Sequence, residues 1–316
     1  MAGSLLCSSF MGCGKKQELK NKFDPYSESA VEDSEEKKSD ITMDYIGENV
    51  AILPTGDVLS ENVTNENVKS AAAFDVKDGK TLYAYNATMK AYPASMTKIL
   101  TAYIVLKNCK LTDKVQVSEN AVVLPPGAVS MGLKKGDIIS VKGLLYGLMF
   151  ESANDAALAL AEHVSGSVED FAKLMNKEAY AIGATDSNFV TPNGIHDENH
   201  YTTAYDMYLI LNKAIGQEKF LKLIGKKQAS VKITNEQGVE SVVTIKNSNP
   251  YFNKKVETPT GYTVLGGKSG ITNAAGNCYI LLAKNPKGHT VIYVAMGAAS
   301  GETLYSFLDQ LMTATQ

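Results

Sequence analysis

Ser95 and Lys98 are two side chains whose types and spacing could do chemistry. They stand three residues apart in Ser-Met-Thr-Lys. On a helix this spacing puts both residues on one face, one turn apart, so the lysine amine can reach the serine hydroxyl. A lysine whose pKa is lowered by its surroundings can take the serine proton and make the oxygen a nucleophile. The pair alone is weak evidence, because it occurs by chance on many surface helices.

Two further polar motifs follow the first in the sequence. Ser152 and Asn154, in Ser-Ala-Asn, precede a helical stretch rich in alanine and leucine, where they could be no more than caps. Lys268 and Ser269 lie in Gly-Gly-Lys-Ser-Gly, whose glycines would let a substrate backbone approach closely. That segment alone could equally be a loose glycine hairpin. The three motifs together, in this order, are far more specific than any one of them.

The three motifs resemble the S-x-x-K, S-x-N and K-[ST]-G motifs of the serine penicillin-recognising enzymes. Their surroundings resemble the low-molecular-mass D-alanyl-D-alanine carboxypeptidases, from about residue 50 to the end of the chain. The segments that carry this likeness are 93–101, 152–163, 189–195, 200–206 and 268–276. The resemblance implies an α/β (α+β) fold of the β-lactamase/transpeptidase type, with an antiparallel five-stranded sheet flanked by helices and a helical subdomain.

The resemblance also implies catalytic roles. Ser95 would be the nucleophile and Lys98 its general base. Ser152 would relay the proton to the leaving D-alanine amine. Asn154 would hold the substrate amide and orient Lys98.

The third motif supplies the expected substrate-binding residues. Lys268 would add positive potential, and Ser269 would bind the terminal carboxylate of the substrate. Gly270, Ile271 and Thr272 continue the same substrate-binding segment. The backbone N–H groups of the nucleophilic serine and of Ile271 would form the oxyanion hole.

The implied function is that of a serine-type D-Ala-D-Ala carboxypeptidase. It would remove the terminal D-alanine of peptidoglycan stem pentapeptides through an acyl-enzyme, with β-lactams as covalent inhibitors and with no cofactor or metal. Alternatives are a D,D-endopeptidase, a class A-like β-lactamase, and a non-enzymatic penicillin sensor or wall-binding domain. The nearest candidate for the class A deacylating glutamate is Glu218, but Lys222 stands where an asparagine is expected.

The composition limits how such a site can bind an anion. The chain of 316 residues has a net charge of −3 and 44% hydrophobic residues, which indicates a globular protein and argues against a nucleic-acid partner. All 31 basic residues are lysine, so no guanidinium can bind a carboxylate through two parallel hydrogen bonds. The third motif has Ser269 where threonine is usual, and Tyr205 replaces an arginine common in the family.

The N-terminal part differs in character from the rest. Residues 1–13 resemble a truncated lipoprotein signal peptide, which would make Cys13 a lipidated membrane anchor. Residues 14–47 are charged and poor in apolar side chains, as expected of a flexible linker. Residues 48–316 would form the catalytic domain. This organisation predicts an extracytoplasmic enzyme of the cell envelope, anchored at its N-terminus.

Turn signals and periodicity predict the elements. An Asp-Gly turn between residues 70–76 and 81–86 predicts a hairpin, and apolar residues at helical spacing predict a helix over 94–107. Strands are predicted at 276–283 and 289–296, and helices at 141–150, 153–165, 168–181, 203–214, 217–224 and 301–314. The order predicts an antiparallel sheet built from both ends of the chain, with helices inserted between them.

The histidines and the two cysteines of the predicted catalytic domain indicate neither a metal site nor a disulfide. His196 and His200 have the spacing of two helical metal ligands, but the adjoining Pro-Asn-Gly indicates a loop, so a metal site is not expected. His163 lies late in a helix, where it can interact with the dipole. Cys109 and Cys278 are expected to be separate thiols rather than a disulfide.

Overall fold

The computed structural model describes residues 50–316. The predictions for residues 1–13, for Cys13 and for the linker 14–47 lie outside the described residues. Nine strands lie in the described part: β1 Ser70–Asp75, β2 Lys80–Tyr85, β3 Lys114–Gln116, β4 Ile138–Ser140, β5 Gln228–Thr234, β6 Glu240–Lys246, β7 Thr263–Thr272, β8 Gly276–Lys284 and β9 Thr290–Ala298.

The helices largely follow the sequence predictions. They are α1 Lys98–Asn108, α2 Glu119–Val122, α3 Val141–Tyr146, α4 Asn154–Ser165, α5 Val168–Ile182, α6 Ala204–Ile215, α7 Glu218–Ile224 and α8 Gly301–Ala314. Two predicted helices are divided. A 3₁₀ turn, Ala94–Thr97, precedes α1, and a π-helical turn, Gly147–Glu151, follows α3. In the residues described, no helix is both long and apolar enough to cross a membrane.

The main sheet has five antiparallel strands in the order β2-β1-β9-β8-β7. This confirms the predicted sheet built from both ends of the chain. The β1–β2 hairpin turns where Asp75 Oδ1 accepts hydrogen bonds from the backbone N–H groups of Lys77 and Asp78, each at 2.9 Å. Gly79 then has φ 59°, which an Asp-Gly turn supplies without strain.

Two cores lie on the two faces of the main sheet. On one face the inserted helices α1 and α3–α7 contribute to one core, which includes Phe74 of β1. The Phe74 ring stacks on that of Tyr208 with centroids 4.0 Å apart. On the other face α8 covers a group of buried tyrosines that includes Tyr279 and Tyr293. Apolar burial on both faces fixes β8 and β9 at the centre of the domain.

A second sheet, of four strands in the order β3-β4-β5-β6, was not predicted from the sequence. β3 and β4 are only three residues long, and β6 is exposed at all but one position. Such strands lack the apolar alternation that marks a half-buried strand. β7 was not predicted as a strand either, since its glycines disfavour one. Gly266 is required there, because a Cβ would lie 2.7 Å from Ile224.

Candidate active site

The 3₁₀ turn before α1 presents Ser95 beside Lys98, the first residue of that helix. The Lys98 side chain is fully buried, and its Nζ lies 2.9 Å from Ser95 Oγ. It also lies 2.9 Å from Asn154 Oδ1 and 2.6 Å from the backbone carbonyl oxygen of Asn193. Both of these oxygens can only accept hydrogen bonds. A neutral amine would donate its two protons to them, so its lone pair would face the serine hydroxyl.

The surroundings of Lys98 favour that neutral form. Burial places the pKa of Lys98 well below its usual range, and the like charge of Lys268 lowers it further, against the opposing charge of Asp155. A neutral lysine in hydrogen-bond contact with Ser95 is chemically competent as a general base.

Asn154 is held in the orientation that this contact requires. Its Nδ2 donates to the carbonyl oxygen of Val129 at 2.9 Å, and the backbone N–H of Asn154 donates to the same oxygen at 2.9 Å. The amide oxygen is therefore directed at Lys98. The next residue, Asp155, accepts hydrogen bonds from Ser130 Oγ at 2.5 Å and from the N–H of Leu133 at 3.1 Å. These bonds attach the loop that contains Val129 to the start of α4.

Ser152 ends the π-helical turn in the left-handed region, with φ 63°. Such a backbone is costly for a residue other than glycine and is often retained at functional sites. Ser152 is half-buried and lies between the π-helical turn and α4, two residues before Asn154. The second motif therefore sits at a strained junction between two helical segments, and capping alone does not explain it.

The third motif lies on β7, at the edge of the main sheet. A Cβ on Gly270 would lie 2.6 Å from the carbonyl oxygen of Pro93 and 2.9 Å from the backbone nitrogen of Ser95. The strand therefore runs directly against the turn that carries Ser95. Ile271 is 68% exposed beside this contact, and Thr272 Oγ1 accepts from the N–H of Ala275 at 3.0 Å.

Lys268 is buried on the same strand, with 3% of its surface exposed. Its Nζ donates to the carbonyl oxygen of Ser269 at 3.0 Å. Burial lowers the pKa of Lys268 to about 7. The site thus contains two buried lysines. Lys98 is hydrogen-bonded to Ser95, and Lys268 lies on the strand that faces Ser95.

The structure therefore brings Ser95, Lys98 and Asn154 into direct contact and lays β7, with Lys268, against them. Comparison with known proteins identifies the family of the chain. The Peptidase_S11 family, described as D-alanyl-D-alanine carboxypeptidase, matches residues 58–300. The chain belongs to this family.

Relatives within the D-alanyl-D-alanine carboxypeptidase family are similar over most of this chain. DacF of Bacillus subtilis is 34% identical over 238 residues, which are 73% of this chain and 58% of the relative. DacC of Escherichia coli is 33% identical over 274 residues, 82% of this chain and 64% of the relative. The chain thus spans less than two thirds of the length of these relatives.

Solved structures of the β-lactamase/transpeptidase type confirm the predicted fold class. The crystal structure of the Streptomyces K15 DD-transpeptidase is 28% identical with a TM-score of 0.72, over 79% of this chain and 97% of that one. A putative penicillin-binding protein homologue from Mycobacterium tuberculosis is 25% identical with a TM-score of 0.70, over 83% of this chain and 95% of that one.

One group that supports the turn carrying Ser95 in this carboxypeptidase-family chain could not be identified from the sequence. His200 Nδ1 accepts from the N–H groups of Val190 and Thr191 at 3.1 and 3.3 Å, so the proton is on Nε2. Nε2 then donates to Thr97 Oγ1 at 2.9 Å, and Thr97 donates to the carbonyl oxygen of Ala94 at 2.8 Å. Burial lowers the pKa of His200 to about 4, so the imidazole stays neutral.

This chain of hydrogen bonds ends at a strained residue. Ala94, directly before Ser95, has φ 47°, a region that residues with a Cβ rarely adopt. His200 and Thr97 thus help to position the backbone that carries Ser95. Both ring nitrogens of His200 are occupied by these hydrogen bonds. His200, one of the two histidines at the spacing of helical metal ligands, therefore has a hydrogen-bonding role in the structure.

We expect Gly194→Ala to damage this site severely. Gly194 has φ 76°, and a Cβ there would lie 1.9 Å from the carbonyl oxygen of Ala94. The left-handed backbone and the clash together should lower the free energy of unfolding by about 2–5 kcal/mol. Displacement of the serine should slow acylation about 100-fold. Chemical unfolding and the rate of penicillin labelling measure the two effects.

Gly288→Ala is the matched control. Gly288 has φ 82°, but a Cβ there would contact nothing within 4 Å. It should cost only the strain of the left-handed backbone, about 1–2 kcal/mol, with normal acylation. Equal losses of stability and rate in the two variants would show that the close approach of Gly194 to Ala94 does not matter for the position of Ser95.

Glu218 does not resemble a deacylating base. It is the first residue of α7, is largely exposed, and pairs with Lys222 at 2.5 Å one helical turn away. Such an i,i+4 ion pair is typical of an exposed helix surface. Cys109 and Cys278 are both free thiols, as expected.

Proposed function

We propose that this chain is a serine-type D-Ala-D-Ala carboxypeptidase that removes the terminal D-alanine of peptidoglycan stem pentapeptides. The observation that carries the proposal is the environment of Lys98. Two fixed carbonyl oxygens, of Asn154 and Asn193, occupy two of its hydrogen-bonding positions and leave Ser95 at the third. This arrangement suits a base that serves one particular hydroxyl group.

In the proposed reaction Lys98 Nζ takes the proton of Ser95 Oγ, and the oxygen attacks the carbonyl carbon between the two terminal D-alanines. The resulting oxyanion would accept hydrogen bonds from the backbone N–H groups of Ser95 and Ile271. In comparable sites the loss of one such donor slows the reaction about 100- to 1000-fold. The carbon–nitrogen bond then breaks, and the proton reaches the departing amine through Ser152.

Water completes the reaction by attacking the ester carbonyl, with Lys98 again acting as the base, and releases the shortened peptide and free Ser95. The carboxylate of the terminal D-alanine would be bound by Lys268 and the hydroxyl of Ser269. Because the chain has no arginine, these two groups and the adjoining backbone must recognise that carboxylate. β-lactams would acylate the same serine and leave slowly.

The chemistry and the N-terminal sequence together lead us to place the enzyme outside the cytoplasm, attached to the membrane by a lipid on Cys13. Its partners would then be stem peptides of the cell wall. Intact-mass analysis of protein extracted from native membranes tests the attachment. A mass without diacylglyceryl on Cys13 would contradict it.

Digestion of purified muropeptides tests the proposed activity. We expect pentapeptides to lose the mass of one alanine, and cross-linked dimers to stay intact. Cleavage of dimers without shortening of pentapeptides would instead identify an endopeptidase. Rapid turnover of a chromogenic cephalosporin would identify a β-lactamase. No reaction with either class of substrate, with penicillin still bound, would favour a sensor.

The two buried lysines predict how the acylation rate depends on pH. The rate should rise with pH as Lys98 loses its proton, and should fall above about pH 7 as Lys268 becomes neutral and carboxylate binding weakens. In Lys268→Met the like charge is gone, so the pKa of Lys98 should rise. The rising limb should move to higher pH and the falling limb should disappear.

The profile is measured as the second-order rate constant for acylation by benzylpenicillin. Lys135→Met is the control, because Lys135 forms only an exposed ion pair with Glu119. It should leave both limbs unchanged. A Lys268→Met profile that superimposes on the wild-type profile would show that the two lysines are not coupled.

A further inference from the structure

Three side chains with metal-binding chemistry meet at the end of the helices opposite to the active site. Cys109, Asp113 and His163 each offer one ligand atom, and the three atoms lie within 4.8 Å of one another. A thiolate, a carboxylate and an imidazole are all established zinc ligands. In a tetrahedral zinc site the ligand atoms are about 3.3–3.7 Å apart, given metal–ligand distances of about 2.0–2.3 Å. A small adjustment of side chains would therefore suffice.

The backbone around the cluster is already ordered without a metal. Cys109 caps α1, and its backbone N–H donates to the carbonyl oxygen of Val105 at 2.9 Å. Asp113 Oδ2 accepts from the N–H of Lys110 at 2.8 Å, which leaves the other carboxylate oxygen to bind an ion. The carbonyl oxygen of Asp113 accepts from the N–H of Val141 at 2.9 Å. The backbone of Cys109 and the carboxylate of Asp113 are therefore held in place before any metal binds.

The electrostatics of this position favour a cation. Cys109 ends α1 and His163 lies in the last turn of α4, so the partial negative charges of two helix C-termini point at the cluster. A divalent ion bound there would stabilise the thiolate form of Cys109.

We propose that Cys109, Asp113 and His163 form a binding site for a divalent transition-metal ion of the Zn²⁺ type. Because His163 is exposed, a water molecule would complete a tetrahedral set of four ligands. A second cluster, Asp75 with Asp78 and His289, is less suited to a metal. Asp75 already accepts hydrogen bonds from two backbone N–H groups, and its Oδ2 lies 2.6 Å from His289 Nδ1.

The site would link the two helices that carry the catalytic lysine and asparagine. α1 begins at Lys98 and α4 begins at Asn154, and these two residues are hydrogen-bonded at 2.9 Å. Eleven residues later α1 reaches Cys109, and near the end of α4 lies His163. The helices therefore run side by side in the same direction. A metal at their far ends would fix their relative position without touching the substrate.

Cobalt titration tests the proposal directly. The full chain carrying Cys7→Ser and Cys13→Ser, which removes the N-terminal thiols, is titrated with Co²⁺. We expect a thiolate-to-cobalt absorption band in the near ultraviolet and the visible bands of tetrahedral cobalt. Cys109→Ser should abolish the near-ultraviolet band, and His163→Ala should weaken binding at least about 10-fold. Cys278→Ser and His289→Ala should leave the spectrum unchanged.

Thermal unfolding gives a second, independent measurement. Zn²⁺ at 100 times its dissociation constant should raise the Tm by about 5–10 °C in the starting protein and not in Cys109→Ser. Penicillin labelling at normal rates shows that each variant is folded. A near-ultraviolet band that persists in Cys109→Ser, or no band in the starting protein, would overturn the proposal. Neither result depends on whether the chain releases D-alanine.

Discussion

Ser95→Ala is expected to abolish covalent labelling by β-lactams and to reduce D-alanine release by about 10⁴- to 10⁶-fold. Loss of a catalytic serine has effects of this size in serine hydrolases, because no other group supplies the nucleophile. The variant should fold normally. Ser95 is only half-buried, and its hydroxyl contacts Lys98, which keeps its two carbonyl partners. Intact-mass analysis after incubation with benzylpenicillin measures the adduct.

Ser241→Ala is the matched control for this experiment. Ser241 is exposed on β6, at the edge of the second sheet, and should label at the normal rate. An adduct of full mass on Ser95→Ala would show that another residue, with Ser152 the first candidate, is the nucleophile. Peptide mapping of that adduct would identify it.

Lys98→Met should slow acylation about 10²- to 10⁴-fold near neutral pH, the usual contribution of a positioned general base. Methionine has nearly the same length and fills the buried space, but it cannot accept the proton of Ser95. The change also leaves the oxygens of Asn154 and Asn193 without a donor, which costs about 1–3 kcal/mol for each buried group. Removal of a buried amine should offset part of that loss.

The rate constant for acylation, followed with a fluorescent penicillin, measures the effect of Lys98→Met. Thermal unfolding shows in parallel that the variant is folded. Lys135→Met serves again as the exposed control. A Lys98→Met variant that acylates within about threefold of the wild type would exclude Lys98 as the base. It would direct attention to Ser152 or to a water molecule.

Four strands of the main sheet were predictable because they carry local turn signals, whereas the glycine-rich β7 was not. The Asp-Gly turn at residues 78–79 and the Asn-Pro-Lys-Gly turn at 285–288 mark two hairpins, and both form. The second sheet was not predictable. Its strands β3 and β4 are only three residues long and pair with segments that are remote in sequence, and β6 pairs with the adjacent β5 but is exposed at all but one position. Neither a three-residue strand nor an exposed strand shows the apolar alternation of a half-buried strand.

The candidate site shows a similar division. The three motifs identified Ser95, Lys98, Asn154 and Lys268, which the fold brings together. The carbonyl oxygen of Asn193 could not be identified as a partner of Lys98, because every residue has a carbonyl group. The only available signal was the family-like segment 189–195 around it.

The remaining contacts of the site depend on distances between remote segments. Thr97 and His200 could not be connected from the sequence, since 103 positions separate them. The Cys109, Asp113 and His163 cluster is also invisible in the sequence, because its members come from a helix end, a loop and a second helix. Only the parallel packing of α1 and α4 brings them together.

The pairing of β1 with β9 also determines when the domain can fold. Ser70 pairs with Met296, and Asp75 pairs with Val291, so neighbouring strands come from opposite ends of the domain. Contacts so distant in sequence make folding slow, because a very long loop must close first. A chain that emerges N-terminus first cannot complete its central sheet until β9 is available. Until then β1 and β2 lack their β9 neighbour, and a two-stranded hairpin by itself is marginally stable at best.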